Sequence, residues 1–182
     1  MNKKEAMDFL LKIFNNVNYW LDYAERKLSY ITTLFTIISG LCAFLFDIHF
    51  KNNKLIIVFI IVFFLIYIAS LLLTLDSFSP IIDKFIKINS GDNVDIQKDN
   101  LIFYGDIAKY SVDTYKDALI NRYSISINSD DYDALDLINQ IVVNSKIANK
   151  KYKYSKIICR LLSIILVFSL PLAICILFIS KI

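Results

Sequence analysis

The sequence predicts an all-α integral membrane protein with three transmembrane helices and a cytoplasmic helical module between the second and third. Three observations point there. Hydrophobic residues make up 57% of the 182-residue chain and the mean hydropathy is +0.54, both above the range of ordinary globular domains. Three apolar runs, residues 28–46, 55–75 and 157–179, each approach the length that crosses a bilayer core of about 30 Å. Only 3 Gly and 2 Pro interrupt the chain, which favours long helices over hairpins.

Residues 1–27 form the amphipathic cytoplasmic or interfacial segment. Within it, Leu10, Ile13, Phe14, Val17, Trp20, Leu21 and Ala24 repeat at helical spacing over residues 8–27. Trp20, Tyr23 and Tyr30, with Arg26 and Lys27, suit a membrane–water interface. Neither Pro nor Gly separates this helix from Leu28, so it can run straight into the first apolar run. Residues 28–75 are the transmembrane hairpin, with spans 28–46 and 55–75 joined by the loop Asp47–Lys54.

In the first span Ser29, Thr32, Thr36, Ser39, Gly40 and Ala43 fall three or four apart and make one small, weakly polar stripe. Such a stripe either packs against another helix or lines a pore. In the second span the small or polar positions, Ala69, Ser70 and Thr74, gather toward its end.

Residues 76–156 form the cytoplasmic helical domain. Ser79 and Pro80 read as a helix start, with a short helix Pro80–Ile88 and a loop Asn89–Asn93. A further helix is expected from Asn100 to about Asn121, its apolar face Leu101, Tyr104, Ala108, Val112, Tyr115 and Leu119. Gly105 inside it costs about 1 kcal/mol relative to Ala. A third helix covers residues 131–155, with Ala134, Ile138, Ile141, Val142, Ala148 and Tyr152 inward. Asp130, Asp131, Asp133 and Asp136 crowd its start, where carboxylates complement the helix dipole; no metal is expected there. The third transmembrane helix is residues 157–179, with a kink at Pro171.

Lys and Arg fix the orientation. Lys3, Lys4, Lys12, Arg26, Lys27, Lys150, Lys151, Lys153 and Lys156 flank one side, against Lys51, Lys54 and Lys181 on the other. The N-terminus and central domain are therefore expected inside and the C-terminus outside.

The net charge of +3, without an aromatic-interleaved basic patch, does not suggest nucleic acid. Cys42, Cys159 and Cys175 show no metal or redox spacing, and His49 stands alone, so neither disulfide nor metal is expected. No nucleotide-hydrolysis loop or Ser/His/Asp set is present, and no catalytic residue, enzymatic activity or cofactor is expected.

Three stretches together carry a family resemblance: Leu21–Leu41, LDYAERKLSYITTLFTIISGL; Ser79–Phe85 followed by Asn100–Leu119, NLIFYGDIAKYSVDTYKDAL; and Asp133–Leu166, where a helix rich in Lys and Tyr leads into the last span. In this order they resemble the PycTM-type membrane effectors of the Pycsar antiphage systems, over roughly Tyr19 to Val167. The resemblance implies a partner pyrimidine cyclase that makes cyclic CMP or cyclic UMP on infection. The effector responds to that ligand, impairs the inner membrane, and the cell dies before phage spread. It implies a multi-pass protein of the bacterial inner membrane that acts on the lipid bilayer; because three spans alone enclose little space, a homo-oligomer is expected. A cyclic nucleotide needs a cation for its phosphate and a flat surface for its base, and Lys109, Tyr115 and Arg122 supply those types near one helix. Two other readings stay open: a membrane anchor that recruits a partner, and a holin-like channel without nucleotide control.

Overall fold

The computed structural model is all-helical and describes residues 2–49, 54–78, 94–125, 127 and 130–179. Among these residues five helices follow in order: α1 (Lys3–His49), α2 (Lys54–Phe78), α3 (Tyr104–Ile107), α4 (Val112–Tyr123) and α5 (Tyr132–Ile179). The chain divides into two compact units, Met1–Glu25 with Pro80–Tyr152, and Arg26–Ser79 with Lys153–Ile182. Helices α1 and α5 contribute to both.

The first unit is built on the apolar face of α1. Ala6, Leu10, Ile13 and Val17 are buried against Leu101, Ile107, Tyr115, Leu119, Ile138, Ile141 and Ala148. Each fully buried Leu or Ile contributes about 1.5–3 kcal/mol. Polar ties fix the register of the elements. The Asn144 side-chain amide donates to Asn18 Oδ1 at 2.8 Å, and Asn16 donates to the Ile102 carbonyl at 3.0 Å. Lys151 pairs with Glu25 at 2.6 Å, and Lys3 pairs with Asp131.

The helix expected from Asn100 to Asn121 is instead a turn, the short α3, and α4. Two side chains end it by competing for backbone donors. Asn100 Oδ1 accepts from the Ile102 amide at 3.0 Å, and Asp106 Oδ2 accepts from the Asn100 amide at 3.0 Å. Ser111 then starts α4 afresh. Its hydroxyl accepts from the Thr114 amide at 3.1 Å, and Thr114 Oγ1 accepts from the Ser111 amide at 2.9 Å, a reciprocal cap. At Gly105 an added Cβ would stand 2.6 Å from the Phe103 ring, so this glycine makes room for its own neighbour.

In the second unit Leu28, Ile31, Phe35 and Ile38 of α1 form a buried seam with Ile158 and Leu162 of α5. Tyr67 of α2 packs edge-on to Phe35, with ring centroids 5.4 Å apart, and donates to the Phe35 carbonyl at 3.4 Å. Ser70 and Thr74 are buried here and return their hydroxyls to carbonyls of their own helix, Ile66 and Ser70.

Two expectations need correction. The loop Asp47–Lys54 is shorter than read, because α1 continues to His49 and α2 begins at Lys54. The three transmembrane helices are not supported: among the described residues no helix is long and apolar enough to cross a membrane. In α1 the charges of Glu25, Arg26 and Lys27 precede the apolar run, and in α5 Lys153 and Lys156 precede it while Arg160 lies within it. The inside–outside orientation derived from those spans loses its basis with them. The expected cap at Ser79, the helix Pro80–Ile88 and the loop Asn89–Asn93 lie outside the described residues. Helix α5 continues through Pro171.

Candidate functional site

The three residues chosen for ligand chemistry come together in the first unit, around the turn that precedes α3. Its centre is Asp99, a carboxylate only 6% exposed. Asp99 Oδ1 accepts from Lys109 Nζ at 2.6 Å. Asp99 Oδ2 accepts from the Asp95 amide at 3.0 Å and the Tyr110 hydroxyl at 3.1 Å. Lys109 also pairs with Asp106 at 2.6 Å. Arg122, in the last turn of α4, donates to the Asp99 carbonyl at 2.5 Å and to the Ile96 carbonyl. Tyr115 is fully buried, and its hydroxyl donates to the Leu101 carbonyl at 2.7 Å.

The electrostatics follow from these contacts. Burial alone pushes the Asp99 carboxyl up, but hydrogen bonds from Lys109, the Asp95 amide and Tyr110 outweigh it and hold the group below the usual carboxylate range. The Asp106 and Asp99 carboxylates raise the pKa of Lys109. Burial, with the bond to Asp99, pushes the Tyr110 phenol up to about 12, and burial raises Tyr115 further. The cluster therefore clamps residues 95–101 onto α4. Lys109 is already matched by two carboxylates. Arg122 meets neutral carbonyls and, among the described residues, no carboxylate, so its charge is the one left for an anion.

The small-residue stripe behaves differently. Ser29 and Thr36 are exposed and Thr32 is half-buried. Thr32 donates back to the Leu28 carbonyl at 3.0 Å, and Thr36 to the Thr32 carbonyl at 3.2 Å. The side chains of Ser39 and Ala43, and the surroundings of Gly40, lie outside what the structure describes. Within the chain α1 packs through Leu28, Ile31, Phe35 and Ile38 instead.

Comparison with known families decides what kind of chain this is. A family model described as the Pycsar effector protein domain matches residues 9–180. The chain belongs to the Pycsar effector family. No curated protein and no solved structure matches it.

For a Pycsar effector the assignment entails an antiphage role within a system that includes a partner cyclase, and it points to membrane association. It names no residue. Asp99 and Asp95, the organising carboxylates of the clamp, escaped the reading by residue type, which sought cations and rings. The signal available was local: Asp95 and Asp99 stand one helical turn apart, before a Lys and a Tyr at 109 and 110. Of the other acidic residues, Asp131 is tied to Lys3. No group of three possible metal ligands occurs among the described residues. Cys159 is a free, half-buried thiol; the side chains of Cys42 and Cys175 are outside the described set.

Proposed function

We propose that this Pycsar effector is activated by a cyclic pyrimidine nucleotide, cyclic CMP or cyclic UMP, made by its partner cyclase. It then impairs the integrity of the inner membrane, and infected cells die before phage spread. It acts without catalysing a reaction of its own and without a cofactor, and it works as a homo-oligomer.

The family match carries the antiphage half of this reading. The membrane half rests on the surface of the second unit. On α2, Ile61, Phe64, Leu65, Ile68, Leu72 and Leu75 are exposed, at helical spacing and on one face. Leu34 and Ile37 of α1 and Ile164 and Val167 of α5 are exposed as well. Monomers in water rarely expose apolar patches larger than a few hundred Å². Lipid and further copies of the chain are the partners that satisfy such a surface. Action on a bilayer does not require a resident spanning helix, because an apolar helical face can bury itself at the interface.

The test is co-expression. Cells carrying the chain and an active pyrimidine cyclase should admit a membrane-impermeant dye and lose viability, while cells with a catalytically dead cyclase should not. Dye entry without any cyclase would point to a holin-like channel. Intact membranes with both nucleotides present would point to an anchor for another protein. Either result overturns the proposal.

A further inference from the structure

The first unit contains a series of aromatic rings that the clamp does not use. Tyr104 and Tyr152 stack at 5.1 Å with planes 22° apart. Tyr152 and Tyr23 continue the series at 6.4 Å and 20°. The single tryptophan, Trp20, stands edge-on to Tyr19, Tyr23 and Tyr152, at 5.6, 6.2 and 6.5 Å. Exposure rises along the series: Tyr104 is 9% exposed, Tyr152 half-buried and Tyr23 45% exposed, with Tyr19 at 57% one turn away on α1.

A packing core alone would close over its outermost ring. This one ends at Tyr23, 45% exposed, with Tyr19, 57% exposed, one turn away on α1. The polar atoms are also unfinished. The Tyr152 hydroxyl is enclosed and, among the described residues, has no hydrogen-bond partner, which is uncommon for a buried phenol. Burial, together with the phenols of Tyr104, Tyr23 and Tyr19, pushes it up to about 12.

We propose that the exposed ring of Tyr23 is a stacking platform for the nucleobase of a small anionic nucleotide. Base–aromatic stacking tolerates a ring-preserving change and fails when the ring is removed. This inference rests on the reading that the chain responds to a cyclic nucleotide and adds where the base sits.

The experiment uses the full chain, titrated separately with cyclic UMP and cyclic CMP, and follows equilibrium dialysis and Trp20 emission together. Wild type and Tyr23→Phe should bind with a change in Trp20 emission, and Tyr23→Ala should bind about tenfold more weakly or worse. Tyr19→Ala serves as a second ring removal, and far-ultraviolet circular dichroism confirms that each variant is helical. If Tyr23→Ala and Tyr19→Ala bind like wild type, the platform is overturned while the nucleotide reading stands. If wild type binds neither nucleotide by dialysis, the nucleotide reading fails and takes the platform with it. If anionic lipid vesicles alone change Trp20 emission through Tyr23 and the nucleotides do not, the face is a membrane contact and the platform is overturned.

Discussion

Replacing Asp99 by Asn tests whether the clamp holds the first unit together. The Asp99 carboxylate accepts three hydrogen bonds, one of them from an ammonium. Hydrogen bonds to charged groups are worth about 1.5–3 kcal/mol and neutral ones about 0.5–1.5 kcal/mol. Asn keeps one acceptor oxygen and turns an NH2 toward the remaining donors, so one side of the arrangement fails. The Lys109 side chain is 36% exposed, and water replaces part of what it loses. The net cost should be about 2 kcal/mol, read as a fall of about 1 M in the urea midpoint at pH 7 with unchanged slope. The pH dependence supplies the sharper check. Asp99 is held below the usual carboxylate range, so its contribution is complete above its unfolded pKa of about 4 and fades as pH falls through the folded value. Wild type should lose stability on that descent, and Asp99→Asn should lose less, so the two converge in acid. A gap at pH 7 within error of zero, or one that persists unchanged near pH 2, would refute the reasoning.

Two single contacts and the small-residue stripe give three further outcomes. Tyr115→Phe removes only the hydroxyl that serves the Leu101 carbonyl and leaves that acceptor unpaired, so thermal unfolding should show a loss of about 1–2 kcal/mol with the fold intact. Gly105→Ala places a Cβ against Phe103, whose ring is 39% exposed and can swing outward; stability should change by less than about 1 kcal/mol. Phe103 packs on Tyr104 at 4.6 Å and Tyr104 on Trp20 at 5.8 Å, so Trp20 emission should still shift. Thr36→Leu together with Gly40→Leu should block cyclase-dependent killing without reducing the amount of protein; undiminished killing would remove the stripe from the mechanism.

The parts of the fold that follow from helical period were legible. Of the stripe read on α1, Leu10, Ile13, Val17 and Ala24 are buried and Phe14, Trp20 and Leu21 half-buried; on α5 Ala134, Ile138, Ile141, Val142 and Ala148 are buried, because a repeat of three and four leaves one stripe to pack. Where a side chain competes with the backbone, period misled. Leu101, Tyr104, Tyr115 and Leu119 are all buried, yet Asn100, Asp106 and Ser111 break the helix that their spacing suggested. Length misled in another way. An apolar run counted along the sequence takes no account of the charges that share its helix, as Arg26 and Lys27 do in α1. The clamp was legible only by type: Lys109, Tyr115 and Arg122 do converge, but their partners are a carboxylate and carbonyls of a turn. Partners of that kind depend on how the turn closes, which no spacing rule encodes.

The two places where a nucleotide could engage the first unit make opposite demands on the turn at 95–101. Arg122 is occupied by the Asp99 and Ile96 carbonyls. A phosphate can take it only by offering a stronger charge-assisted bond, and those carbonyls are then released. Ligand binding there must loosen the turn, because a ligand shifts an equilibrium only by its differential affinity for the two states. The Tyr23 face is already open, and a base laid on it breaks no contact of the clamp. Hydrogen exchange at the Asp99 amide, which donates to the Asp95 carbonyl at 2.8 Å, separates the two. Saturating cyclic nucleotide should leave that amide as protected as before, or more so, if the base stacks on Tyr23. Faster exchange on binding would place the phosphate on Arg122 and make the turn the element that the ligand moves.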